Sequence, residues 1–268
     1  MRTIAKVAVS VFKESVRDKV LYNLVFFAVL LMAASYLIGQ LTAGQDVKII
    51  KDLGLAAIAI FGLMIAVFIG IGLVWKEVER RSIYSLLSKP LRRHEFIVGK
   101  YCGLCFTLLI NVCAMVAAFY VVLAYMGATT PAEQQAAWTT PATDPAMLKA
   151  VALILVELLL VTAIAIFFST FSSPFLSAVL TLGLWVIGHF NADLRNFGAV
   201  VDSPTAAFVA RGLYYVLPNF SAFDIKHQVV YGLPVPTTYL ATTAAYGFVY
   251  IAMLVVASVA IFSRRDFK

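Results

Sequence analysis

The stretch Ala150–Asp193, AVALILVELLLVTAIAIFFSTFSSPFLSAVLTLGLWVIGHFNAD, decides the fold. Before its closing aspartate it holds one carboxylate, Glu157, and no lysine or arginine. At about 1.5 Å per residue, one helix of that length would far overshoot a bilayer core about 30 Å thick, so the chain must turn back. The turn falls at Ser169-Thr170-Phe171-Ser172-Ser173-Pro174, where hydroxyls can cap helix ends and a proline suits a first helical turn. Two spans result, 150–171 and 175–191.

Working outward, uncharged stretches long enough to cross a bilayer cover 20–41, 53–75 and 101–126, and a last one covers 239–262, closed by Arg264, Arg265 and Lys268. The chain has 268 residues, 62% hydrophobic and 13% charged, with mean hydropathy +0.92. A soluble domain is about half apolar and about a quarter charged, so a soluble enzyme is excluded. The net charge of +7 and pI near 9.3 would suggest nucleic acid in a soluble chain, but here position matters more. Fifteen of the 21 basic residues lie in three places: residues 2–19 (Arg2, Lys6, Lys13, Arg17, Lys19), residues 76–100 (Lys76, Arg80, Arg81, Lys89, Arg92, Arg93, Lys100) and the C-terminus. Basic loops resist translocation, so both termini and the 76–100 loop are cytoplasmic and the number of crossings is even. The charge records orientation, with no nucleic-acid partner. Ala33-Ala34-Ser35 resembles a cleavage site, but charges running to Lys19 and a full-length span behind them favour an anchor over a signal peptide.

Residues 1–19 read as an amphipathic interfacial helix: Arg2, Lys6, Lys13 and Arg17 share one arc, while Ile4, Val7, Val11, Phe12 and Val16 face the other way. Such a helix sets its basic face on anionic headgroups and its apolar face in the acyl boundary; a plain basic tail that fixes topology is the simpler alternative. In the 76–100 loop, Ile83, Leu86 and Leu87 share one side of a short helix that Pro90 stops, an apolar knob in a charged rim suited to a partner's groove. An ordinary basic loop has the same composition.

The order of parts resembles the permease subunits of ABC exporters of the second family, and is most similar to the branch associated with multi-copper enzyme maturation, whose known member serves nitrous oxide reductase assembly. The strongest likeness lies in Glu79–Lys100, where Glu79, Leu86, Leu87, Pro90, Arg93 and Gly99-Lys100 map onto the family pattern; the family commonly has Gly-Thr where Arg81-Ser82 stand here. The resemblance implies that 76–100 is a coupling helix seated in a cleft of a separate ATPase subunit. It also implies that two short helices within 192–238 break the outer half of the fifth span and cover the exit of the transport path. Ser203-Pro204 can start one, and Ser221 with Asp224 three residues on can start the other over Ala222–Tyr231. Phe208, Tyr214, Tyr215, Phe220, Phe223 and Tyr231 are then expected at interface depth, as anchors or as substrate contacts. The whole chain, 1–268, is thus expected to be a single all-α polytopic membrane domain with six transmembrane helices, set in a bacterial inner membrane.

Inside the spans, Glu157 lies about two turns from the outer end of the fourth, where a charge is costly and marks a candidate functional site; it can also be protonated or reach a neighbouring helix or Lys149. His189 and Asn111 are polar candidates too, with helix packing as the simpler reading. Cys102 and Cys105 form a lone C-x-x-C among apolar residues, better read as packing than as a redox pair, and no metal or nucleophile motif is expected. A phosphate-binding loop needs G-x-x-x-x-G-K-[ST]; Gly99-Lys100 fails because His94 and Tyr101 occupy the other two positions. ATP and Mg are therefore expected on a partner, in an assembly of two permeases and two ATPase subunits. The other readings are an ion-coupled secondary transporter using Glu157, and a membrane scaffold subunit of a larger complex.

Overall fold

The computed structural model describes residues 2–40, 46–79, 93–191 and 204–264, and over these the chain is all-α. In chain order the helices are α1 (Arg2–Val16), α2 (Lys19–Gln40), α3 (Asp46–Glu79), α4 (Arg93–Thr129), α5 (Ala132–Gln135), α6 (Met147–Ser169), α7 (Pro174–His189), α8 (Pro204–Val216), α9 (Lys226–Val230) and α10 (Thr237–Arg264). Five of them, α2, α3, α4, α6 and α10, are long and apolar enough to cross a membrane. The sixth apolar helix, α7, has 16 residues and reaches only about 24 Å, short of a full hydrocarbon core.

Helices α3 and α6 form the centre. Helix α6 packs on α3, α4, α7 and α10, and α2 lies along α3 and α4. The buried core runs through Ile58, Ile65 and Val67 of α3, Leu108, Met115 and Phe119 of α4, and Leu158, Val161 and Ile164 of α6. By contrast α2 and α10 keep long apolar faces uncovered, including Phe26, Phe27, Leu30, Phe248 and Val249, as a lipid-facing helix does.

The apolar run that opened the sequence analysis turns back at Thr170–Ser173. The Ser173 Oγ accepts from the backbone N–H of Leu176 at 3.4 Å, Pro174 occupies the first turn of α7, and the Ser172 and Ser177 hydroxyls bond at 2.6 Å across the bend. At the same end of the bundle α1 and the end of α10 both pack on α4, where Phe262 of α10 stacks on Phe96 with centroids 5.7 Å apart.

Helix α1 lays one side of its apolar face on protein, with Val11 buried and Ile4, Val7, Phe12 and Val16 partly exposed. Val7 and Val11 sit directly on Gly99 and Gly103 of α4: a Cβ at Gly99 would lie 2.8 Å from Val7 Cβ, and one at Gly103 would lie 2.7 Å from the Ala8 carbonyl oxygen. Phe12 packs edge-on against Phe106 at 4.9 Å. The G-x-x-x-G spacing lets two helix backbones approach this closely, while Lys6, Lys13 and Arg17 remain exposed.

At the far end, buried Lys51 donates to Thr140 Oγ1 and the Pro141 carbonyl oxygen, both at 2.7 Å, pinning the α5–α6 connection across α3. Lys149 donates to the Val235 carbonyl oxygen at 3.0 Å, so it fastens the approach to α10 and does not serve Glu157. The single helix expected over Ala222–Tyr231 is replaced by a 3₁₀ turn, Ser221–Phe223, followed by α9. Ser221 donates to Asn219 Oδ1 instead of capping, and Asp224 Oδ1 accepts from the N–H of Lys226, a local turn that interrupts the helix.

Candidate functional site

A polar cluster forms where α6 and α7 face each other. Glu157 lies ten residues, about 15 Å, from the start of α6, which puts it nearer the middle of the bilayer than the two turns read from sequence. Its Oε1 accepts a hydrogen bond from Trp185 Nε1 at 2.7 Å and lies 3.6 Å from His189 Nε2. His189 in turn places Nδ1 at 3.0 Å from the Trp185 carbonyl oxygen, with its ring 4.4 Å from the indole. Glu157 is 6% exposed, so its charge or proton is settled inside the protein and not by bulk water.

The hairpin explains why these residues meet. With the bend centred near residues 171–172, antiparallel helices bring residue 157 level with about residue 186, between Trp185 and His189. An indole N–H in an apolar span needs an acceptor, and Glu157 supplies it. Trp185 is therefore a site residue that the sequence analysis missed, although hairpin spacing pointed to it.

The far side of the cluster is closed by the chain that follows α8. Phe220 stacks on His189 with rings 5.7 Å apart and 12° from parallel, and its backbone N–H donates to the Gly188 carbonyl oxygen at 3.0 Å. Gly188 is required here: a Cβ would lie 2.7 Å from the Pro218 carbonyl oxygen and would overlap the Phe220 ring. Tyr246 of α10 accepts from the Asn219 N–H at 2.9 Å and holds the segment from its other side, next to Phe223. Phe220 and Phe223 are fully buried, so they pack inside the protein and do not anchor the segment in lipid; they fill space that α7 leaves when it stops at His189. Phe208 and Tyr215 of α8 are exposed, as an interfacial position requires.

Asn111 does not join this cluster. Its Nδ2 donates to the Thr107 carbonyl oxygen of its own helix at 2.7 Å, and the Thr107 hydroxyl donates to the Gly103 carbonyl oxygen at 3.0 Å. Beside them α3, α4 and α6 enclose a cavity of about 10 Å³ lined by Ile65, Ile69, Leu104, Thr107, Leu108 and Thr162, room for no more than about one water. Cys102 and Cys113 are exposed and Cys105 is partly so, all as free thiols. Among the described residues no three of His, Cys, Asp and Glu are grouped to hold a metal ion.

Of the expected coupling residues, Ile83, Leu86, Leu87 and Pro90 lie outside the described residues. Glu79 ends α3 and Arg93 begins α4, so the two longest helices, 34 and 37 residues, flank the intervening segment.

Residues 6–267 match the family model described as ABC-2 family transporter protein. None of the curated proteins matches the chain. A match over nearly the whole length, on an all-α multi-pass bundle, identifies the membrane component of a transporter, with no catalytic role of its own: the chain belongs to the ABC-2 transporter family.

Proposed function

We propose that this permease is one half of a dimeric ATP-driven exporter, coupled through residues 76–100 to separate ATPase subunits that carry ATP and Mg. The observation that supports it most is the pair of overlong helices. Helices α3 and α4 would extend about 51 Å and 55 Å, well beyond a bilayer core about 30 Å thick, and the excess of α3 lies at the α1 end, next to the candidate docking segment. A push on that segment passes into α4 and, through the Gly99–Gly103 contact, into α1 as well. The substrate path then runs between the two copies. In this reading the α1 end is cytoplasmic, in a bacterial inner membrane, and the far end is the exit. The similarity to the multi-copper enzyme maturation branch belongs to the same proposal.

The test is Leu86→Asp combined with Leu87→Asp. Loss of ATPase co-purification and of ATP-driven transport is expected, with the permease still inserted; retention of both would sink the coupling role. A second reading, ion-coupled transport through Glu157, draws on the buried Glu157–His189 pair. It requires transport that continues without any ATPase and stops with Glu157→Gln.

A further inference from the structure

The hydrogen-bond pattern around His189 sets the fewest protons the site needs to stay closed. The Trp185 carbonyl oxygen, 3.0 Å from His189 Nδ1, is an acceptor, so Nδ1 carries a hydrogen. The other ring nitrogen then faces Glu157 Oε1 at 3.6 Å in one of two attractive arrangements: imidazolium against carboxylate, or a neutral ring against a protonated carboxyl. Both contain one proton beyond the Nδ1–H. With that proton gone, the Nε2 lone pair faces a carboxylate across 3.6 Å of nearly dry protein, and the contact turns repulsive.

We infer that Glu157 and His189 share one proton, and that this proton fastens the end of α7, with the Phe220 plug stacked on it, to α6: a latch on the far mouth of the permease. The mechanical link is direct. His189 is the last residue of α7, its ring lies against Phe220, and the neighbouring Gly188 carbonyl oxygen accepts the Phe220 N–H. Repulsion between Glu157 and His189 displaces the ring on which the plug rests. Asp224 and Lys226 of the overlying segment act on both members of the pair, and His227 beside them, Asp52 on α3, Lys149 on α6 and Tyr246 on α10 are the other titratable groups of the elements packed around it. Lys226 pairs with Asp224 at 3.5 Å, so the opposite effects of these two charges on Glu157 and His189 offset one another, while His227 stacks on Tyr231 at 4.3 Å and Lys149 and Tyr246 are engaged with backbone. The latch depends on the exporter reading only for calling this end the exit.

The Phe220 amide supplies the test, because its bond to Gly188 exists only while the plug is seated. Hydrogen exchange of the segment around residues 217–224 is followed by mass spectrometry on the full chain in lipid nanodiscs over a range of pH, corrected for intrinsic exchange. Protection should be high at low pH and fall about tenfold to a hundredfold as the shared proton leaves, the scale of one charge-pair coupling away from bulk water. Glu157→Gln and, separately, His189→Gln each put an amide N–H across the contact that donates at any pH, so the repulsive state cannot form and each should abolish the fall in protection as pH rises. A flat profile in the unmodified chain, or a pH dependence that survives either substitution, overturns the latch. The measurement needs no ATPase, so its failure is distinct from failure of the coupling proposal.

Discussion

Replacing Gly103 with valine should undock α1. A Cβ at that position would lie 2.7 Å from the Ala8 carbonyl oxygen and 2.8 Å from Val11 Cβ. The first neighbour is backbone and the second is the stiff base of a β-branched side chain, so neither can swing aside, and α1 must retreat by most of an ångström before any methyl is added. Overpacking of this kind costs about 1–3 kcal/mol, a factor of about 5 to 150 in the ratio of docked to undocked helix. Retreat also uncovers Val11, now 4% exposed, and loosens the Phe12–Phe106 contact. Hydrogen exchange on the chain in nanodiscs is the assay, comparing residues 2–16 with α6 as an internal reference. Protection of α1 should fall within that range while α6 is unchanged. Gly183→Ala is the matched control, since a Cβ there meets nothing within 4 Å. Equal α1 protection in Gly103→Val and the unmodified chain would refute the idea that backbone proximity at this glycine holds the helix.

Other consequences follow from the same geometry. Phe220→Ala removes a fully buried ring and should cost about 3–5 kcal/mol locally, read as loss of protection over residues 217–224 while the α3–α6 core keeps its protection. Trp185→Phe keeps the ring but deletes the donor to Glu157, and should lower the melting temperature in detergent by the equivalent of about 1–3 kcal/mol; an unchanged melt would show that Glu157 finds another donor. Lys51→Met strands Thr140 Oγ1 and the Pro141 carbonyl oxygen, so limited proteolysis applied from the far side should cut the 130–146 connection faster.

The fold was legible because bilayer thickness turns hydropathy into length. The run from Ala150 to Asp193 had to bend, and a hydroxyl-rich hexapeptide ending in proline offered the one place to do so. The end of α7 was not legible by the same reasoning. Residues 186–190, Val-Ile-Gly-His-Phe, continue as apolar as what precedes them, and the helix stops at His189 where a distant phenylalanine seats over Gly188. Hydropathy carries no record of that tertiary event. The cluster stood in between. Glu157 and His189 were each visible as isolated polar residues, and they become a pair only when the bend is used as an origin for counting along both helices. Asn111 had the same standing and a different fate, because an amide on a helix can satisfy itself on the carbonyl four residues back.

The two ends of the bundle are built to opposite designs. At the α1 end, glycines bring two helices into backbone contact, which makes α1 and the start of α4 one stiff body. At the far end the contacts are made by short pieces of chain: a lysine reaching to Thr140, a ring and one backbone amide over Gly188, a carboxylate between an indole and an imidazole. Stiff bodies transmit displacement, whereas side-chain contacts can break and reform with little motion of the helices behind them. Between them α3, α4 and α6 pack into one buried core, a continuous path of contact from one end to the other. A permease driven from the α1 end therefore yields first where its contacts are polar and local, at the Glu157–His189 pair and the plug seated beside it.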